Sequence, residues 1–498
     1  MRTLFAWTFA LTCVVNLSLA QSVSSREPLN RKATAPNAHV PACAAQAGWN
    51  VVDGCLGSSV TSNSIVDATV FPAVSGDVCT QINAALFALP SFGGTVDARG
   101  LTGNLTCNSN PWNGFSGVAT VLLGAATFKT TIPWVLPNKN RLFGIGRADP
   151  NSANTEIQWA TTAPASVTPI IDMGIGPNPN FAVFVGELGV DCNGVANLIG
   201  IRNQNSQELS GVDHVNMRDC VVNGLDVEGT NSQNSGPYSN LEVNYSANVC
   251  VAGTQPTIPV NYSGSNRRGI SGLTVNADSC TTKPPAGVDI NGKSDVTGSG
   301  LFEKIHCENV GDCIRVGNTT TTHDVVIAGV QGCPDNMNDY SCTNVIHICG
   351  TTSTTNCSGT GGAHDIVVEG IGMNNGSGNL LLDDVTHTTL AGSADPSLGF
   401  YALGHGTNPN VISSSPAVGS QFNSHLGSKN LDTAGTCTLS GGSCTVNFAT
   451  SYGAAPVCTA NSAASATALR VQTFTDHLLI TTSISVTGTV SYICLGTN

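Results

Sequence analysis

From about residue 180 to 390 the chain repeats a short strand of alternating apolar and polar residues: GELGVDC, HVNMRDC, LEVNYSANVC, LTVNADSC, FEKIHC and VVIAGVQGC. Cys192, Cys220, Cys250, Cys280, Cys307 and Cys333 mark one phase of the repeat, at spacings of 28, 30, 30, 27 and 26 residues. A further unit, HDIVVEGIGM, has Met373 at that phase. A second strand follows in nearly the same phase, with two apolar residues flanking a variable one. These pairs are Ile199/Ile201, Leu225/Val227, Ile258/Val260, Val288/Ile290, Ile314/Val316 and Ile346/Ile348. Period-2 alternation buries one face of a strand. Two such strands per period predict the coils of a parallel β-solenoid, an all-β fold. One coil cannot bury its apolar residues alone. Stacking coils about 4.8 Å apart aligns those residues in ladders and pairs each strand's backbone groups with the next coil. The recurrent cysteine reads as an inward ladder of small apolar side chains; disulfides between adjacent coils are the alternative.

Ahead of the repeat, Asp77 can cap a helix in which Val78, Ile82, Leu86 and Leu89 share a face and which Pro90 ends. Such a helix suits a cap over the exposed edge of the first coil. The expected organisation is a signal segment at 1–20, a polar lead at 21–75, the β-helix at 76–395 and a loop-rich linker at 396–426. Hairpin-spaced strands then predict a small antiparallel β-sandwich at 427–498. Cys437 and Cys444 flank a Ser440-Gly441-Gly442 turn, and Cys458 and Cys494 fall on neighbouring strands, so both pairs are expected to bond.

Composition agrees with many turns and few ionised groups: 55 Gly among 498 residues and only 10% charged, with 41% hydrophobic. Disorder, coiled coils and collagen are excluded on these grounds. A net charge of −13 argues against nucleic acid or an anionic membrane as partner. At the start, Arg2, an apolar stretch from Leu4 to Leu17 and the small residues of Ser18-Leu19-Ala20 read as an export signal ending before Gln21. That stretch falls short of the roughly 18 apolar residues of a membrane span, and no other segment qualifies. Losing Cys13 leaves 18 of the 19 cysteines in an oxidising secreted, cell-surface or periplasmic location.

INAALFALPSFGGTVDARGLTG, VATVLLGAATFK and LPNKNRLFGIG resemble the opening segment of the pectate-lyase-like right-handed β-helix superfamily. The resemblance covers about 76–148 by motif and 180–390 by repeat character. It implies the fold but no single activity, since the superfamily holds lyases, hydrolases, epimerases, tailspikes and adhesins. Gly311-Asp312-Cys313-Ile314 is similar to the D-D-C-I motif of polygalacturonase-type glycosidases, with Gly311 in place of the first carboxylate. One coil earlier Ala286 stands where that family has an Asp, and one coil later its histidine phase falls near Asn344. An inverting glycosidase needs two carboxyl groups about 6.5–9.5 Å apart, and this set keeps only one. The calcium-lyase patterns W-x-D-H and R-x-P-x-x-R are absent too.

The variable residue of each second strand is expected to point outward: Gly200, Asp226, Pro259, Asp289, Arg315 and His347. Asp289, Arg315 and His347 would stack on successive coils, with Asp312 just before its strand and Asp383 extending the row. These are the candidate catalytic residues: Arg315 for a sugar carboxylate, His347 or Asp289 as acid or base. The competing reading is a polar face that merely solvates the solenoid. His323-Asp324 and His364-Asp365 read as turn residues, residues 335–339 as an incomplete calcium loop, and Gly404-His405-Gly406 as lying outside the coil register. The expectation is an exported polysaccharide-binding protein, as a lyase or glycoside hydrolase, with no cofactor indicated. The sandwich would serve carbohydrate binding or oligomerisation. The alternative is a non-catalytic surface or adhesion protein, or a tailspike-like homotrimer.

Overall fold

The computed structural model describes residues 64–403 and 432–495, apart from connecting segments such as 148–153, 251–257, 292–299 and 332–341. Residues 1–63, where the expected signal falls, lie outside the described residues. No described helix is long and apolar enough to cross a membrane.

The helix Val78–Phe87 begins where the sequence places it, because the Asp77 carboxylate accepts the Cys79 backbone N–H at 3.0 Å. Val78, Ile82 and Leu86 are buried, with Leu89 packed against them. A Cys79–Cys107 disulfide ties this helix to the strand Gly103–Cys107.

The solenoid is built of two long parallel sheets, so the chain is a parallel β-helix. Side chains alternate across the first sheet. In register, Val190, Met217, Val243, Val275 and Cys307 form one inward ladder without solvent exposure. Ile171, Ile201, Leu225, Val260, Val288, Ile314 and Ile346 form its counterpart in the second sheet. Each fully buried side chain of this kind contributes about 1.5–3 kcal/mol of hydrophobic free energy. Parallel pairing begins earlier and ends later than the expected bounds of 76 and 395. Ile65–Asp67 pairs with Gly94–Ala98, and Gly399–Leu403 pairs with Asn379–Asp383.

The strands of the first sheet are interrupted at one column. Glu187, His214, Asn240, Gly272, Lys304 and Gly329 occupy equivalent positions, and all have φ between 53° and 79°. Gly272 and Gly329 adopt this left-handed conformation freely, and Asn240 readily, whereas a larger residue bears about 1–2 kcal/mol. The same corner recurs coil after coil.

The free cysteine ladder does not occur. Cys192–Cys220 bonds adjacent coils, Cys307–Cys313 bonds within one coil, and Cys280 is also oxidised. The close stacking of adjacent coils brings the Cys192 and Cys220 sulfurs within bonding distance, and the short turn between two strands does the same for Cys307 and Cys313. Cys250, Cys333 and Met373 lie outside the described residues. At the C-terminal end, the two expected pairs are bonded, Cys437–Cys444 and Cys458–Cys494. Here two three-stranded antiparallel sheets share an apolar cluster of Leu439, Leu478, Ile480, Val490, Tyr492 and Cys494.

Candidate functional site

The second-sheet row is real but differs in membership from the sequence reading. Across the coils, Asp172, Arg202, Asp226, Asn261, Asp289, Arg315 and His347 lie in register. Arg202 and Asn261 thus replace the expected Gly200 and Pro259. Asp383 pairs with Cys349, two residues beyond His347, and does not extend the row.

Nor does the row face solvent as expected. Asp289, Arg315, His347 and Asp312 are all buried, and the strands that carry them are buried on both faces. Burial forces partners on each charge. Arg315 grips Asp289 with two bonds, Nε to Oδ1 at 3.2 Å and Nη2 to Oδ2 at 2.7 Å. Asn318 adds a third donor to Asp289 at 3.3 Å. Asp312 accepts from Asn344 Nδ2 at 2.7 Å and faces His347 Nδ1 at 2.9 Å. Four rungs earlier in the row, Arg202 binds Asp172 at 2.6 Å. Burial, with help from the neighbouring Glu228 carboxylate, pushes the Asp226 carboxyl up to about 7. The Arg315 fork expected to hold a sugar carboxylate is occupied by a carboxylate of its own chain. Ala286, Asp312 and Asn344 stand in register, so Asp312 has no carboxylate neighbour at that position on either side.

Solvent-facing ionisable groups lie instead on the first sheet, opposite its apolar ladder. One outer column runs Lys129, Gln158, Asp191, Arg218, Asn244, Asn276 and Glu308. A second, two residues before it on each strand, holds Glu156, Gly189, Asn216, Glu242, Thr274 and His306. Most are half-buried. At one end Arg218 Nη2 joins Glu156 at 2.5 Å and Asp191 at 3.2 Å. Burial still pushes the Glu156 carboxyl up. In the middle Asn244 donates to Asn216 at 3.0 Å.

At the other end His306 Nε2 meets Glu308 Oε1 at 2.9 Å, and Asp278 lies beside Glu308. Burial and the Glu308 charge push the Asp278 carboxyl up to about 7, while the bond from His306 holds Glu308 below its ordinary value. Two carboxyl groups driven apart in this way are the setting in which one serves as acid and the other as carboxylate. Oδ1 of Asp278 and Nδ1 of His306 are shielded from water without a partner, a cost of about 1–3 kcal/mol per group that calls for an explanation. The sequence carried a signal for this strip. Asp191, Arg218, Asp278 and Glu308 lie next to or within two residues of a repeat cysteine, on strands read only as markers of the period.

Two groups have metal-ligand spacing among the described residues, His347/Cys349/Cys357 and Asp77/Cys79/Cys107. In each the two sulfurs are joined as a disulfide and supply no thiolate. His323 and His364 stack at 5.0 Å, and each ring is held by the Asp that follows it. Those aspartates, with φ near +56° and +55°, are not in turns as expected but inside the paired strands Thr321–Gln331 and Gly362–Gly372, where the left-handed backbone interrupts the extended run. Residues 335–339 and 404–406 lie outside the described residues.

No family model matches the chain, and no curated protein does. Among solved structures, it is similar to a tailspike double mutant of E. coli bacteriophage HK620, with 12% identity, TM-score 0.43 and coverage of 87% of this chain and 94% of that one. The tailspike of Acinetobacter phage vB_ApiP_P1 gives 12% identity and TM-score 0.38, covering 88% of each chain. The A-module of the Azotobacter vinelandii mannuronan C-5 epimerase AlgE4 gives 11% and 0.37, covering 68% of this chain and 81% of that one. At these values none bears on the chemistry of the face, and the fold rests on the strand pairing itself.

Proposed function

We propose that this chain is an exported protein that binds an extended polysaccharide along the outer face of the first sheet and acts on it through Asp278 and Glu308. The observation that carries this reading is the carboxyl pair beside His306, with Asp278 raised to about 7 and Glu308 held below its ordinary value, on a half-buried polar strip. From Gln158 to Glu308 the strip crosses five coil steps, about 24 Å at strand spacing, which suits several sugar rings of a polymer lying along the solenoid axis. Glu156, Asp191, Glu242, Asp278 and Glu308 outnumber Lys129, Arg218 and His306, and Arg218 is already paired. An acidic strip with an asparagine column favours neutral or amino sugars over polyuronates.

Asp289 and Arg315 enter this proposal as positioning residues. The coil with Ile270–Asn276 and Ala286–Ile290 carries Asp278 and Asp289; the next, with Leu301–Glu308 and Asp312–Val316, carries Glu308 and Arg315. The Asp289–Arg315 pair therefore clamps the same two coils that present the acid and the carboxylate.

The test is a panel of neutral, amino-sugar and uronate polysaccharides, scored for binding, for reducing-end release and for the ultraviolet absorbance of an unsaturated product. Binding to neutral or amino-sugar polymers is expected, with turnover reduced about 100-fold or more in Asp278→Asn while binding persists. Absence of binding across the panel, with a trimeric mass in native solution, supports the adhesion or tailspike-like reading instead.

A further inference from the structure

The second-sheet row ends on chemistry that polysaccharide binding does not use. His347, on the strand Asn344–Cys349, has no exposed surface. Its Nδ1 is held by Asp312 at 2.9 Å, and Asp312 is itself held by Asn344 at 2.7 Å. The opposite ring nitrogen, Nε2, lies 3.3 Å from Sγ of Cys357, which is bonded to Cys349. The ligand atoms of His347, Cys349 and Cys357 fall within 4.8 Å of one another, so the imidazole that touches Cys357 also lies near the sulfur of Cys349. Cys349 is fully buried, whereas Cys357 is partly exposed.

A carboxylate, an imidazole and a sulfur in line form the arrangement that activates sulfur. The carboxylate fixes the tautomer and steadies an imidazolium; the imidazolium steadies a thiolate or protonates one as it leaves. We propose that Cys349–Cys357 is a thiol–disulfide exchange site whose reactant is a small dithiol, with His347 as the catalytic proton carrier and Asp312 as its positioning residue.

In the first step a thiolate of the dithiol attacks Sγ of the partly exposed Cys357. A new S–S bond forms, the Cys357–Cys349 bond breaks, and the departing electron pair on Cys349 takes a proton from the His347 imidazolium. The imidazole, now neutral, accepts the proton of the second thiol. That thiolate displaces Cys357, which leaves as a thiolate beside the re-formed imidazolium. The dithiol departs as a disulfide, having given two electrons to the protein. The reverse sequence re-forms the bridge.

Cys437–Cys444 is the internal comparator, since it closes a loop of similar length, a separation of 7 residues against 8, and its sulfurs are also partly exposed. The intact chain is exposed to limiting dithiothreitol, quenched with an alkylating agent at timed intervals, and mapped by peptide mass spectrometry. Cys349 and Cys357 should be labelled about tenfold sooner than Cys437 and Cys444. In the reduced chain, alkylation of Cys357 should persist well below the ordinary thiol range, near about 8.5. Asp312→Asn, which preserves shape but turns one of the two accepting oxygens into a donor, should move that pH profile toward an ordinary thiol and slow reduction. His347→Gln should do the same, with circular dichroism reporting whether each variant folds. Equal reduction of the two bridges in the unmutated chain overturns the proposal, as does an ordinary pH profile at Cys357.

Discussion

Replacing Arg315 by alanine isolates the energetics of the buried row. In the folded chain its guanidinium and the Asp289 carboxylate are each only 6% exposed, so neither is screened by water. Without Arg315, Asp289 keeps Asn318 at 3.3 Å and loses two charge-assisted bonds at 3.2 and 2.7 Å. A buried carboxylate left in this state destabilises a protein by about 3–5 kcal/mol. The intact pair owes little net stability to its charges, however, because both were desolvated to form it. The double variant Asp289→Leu/Arg315→Leu should therefore recover most of the loss. Urea titration followed by circular dichroism measures the midpoint. Hydrogen exchange at Ala286–Ile290 and Asp312–Val316 reports the local effect, which matters because a stacked array need not unfold in one step. Arg99→Ala is the control, its pair with Asp97 being solvent-exposed, and it should not move the midpoint measurably. If Arg315→Ala moves the midpoint no further than Arg99→Ala, the row is not an electrostatic brace. Its clamping role at Asp278 and Glu308 then fails as well.

Asp226 sets a pH dependence of definite sign. Its folded value of about 7 exceeds the unfolded value of about 4, so the folded chain holds a proton that the unfolded chain has released. Stability should therefore fall as pH rises from about 4 to about 7, and Asp226→Asn should flatten that slope in denaturation midpoints taken across the range. Converting both Cys192 and Cys220 to alanine opens a link across 28 residues and should lower stability by about 3–4 kcal/mol, read by urea titration under non-reducing conditions. At the corner column, Lys304→Gly should raise the thermal midpoint by relieving a φ of 55°, while Gly272→Ala, at φ 79°, should lower it by about 1 kcal/mol equivalent. Opposite signs at two equivalent positions distinguish backbone strain from side-chain packing.

The repeat was legible because stacking imposes one apolar pattern on every coil, and a pattern copied several times survives local noise. Register within a coil was less secure, and two failures have identifiable causes. Ile199/Ile201 looks like the inward pair, but the residue in register with Val227 is Asn203. Asn203 is polar yet buried, satisfied by Tyr238 Oη at 2.6 Å and the Ser206 carbonyl at 3.0 Å, so an apolar search shifts the strand by two. Tyr262 likewise displaces Ile258 from the inward pair that Val260 completes. Exposure was the harder quantity. A single strand shows alternation, but whether its outward face meets water depends on chain packed there from elsewhere, as Cys357 lies against His347. The residues singled out from charge on the second sheet were consequently the enclosed ones, and the half-open ones at the cysteine phase went unread.

The Cys192–Cys220 bond also bears on how the protein meets mechanical load. Each coil is held chiefly by its two neighbours, so tension applied through the N-terminal end peels the solenoid one coil at a time. Peeling that reaches Cys192 stops transmitting force along the backbone and passes it through sulfur to Cys220, leaving the 28 residues between them slack. The rupture front must then jump a coil and break the next interface at once. That crosslink therefore puts one abrupt step into an otherwise gradual yielding.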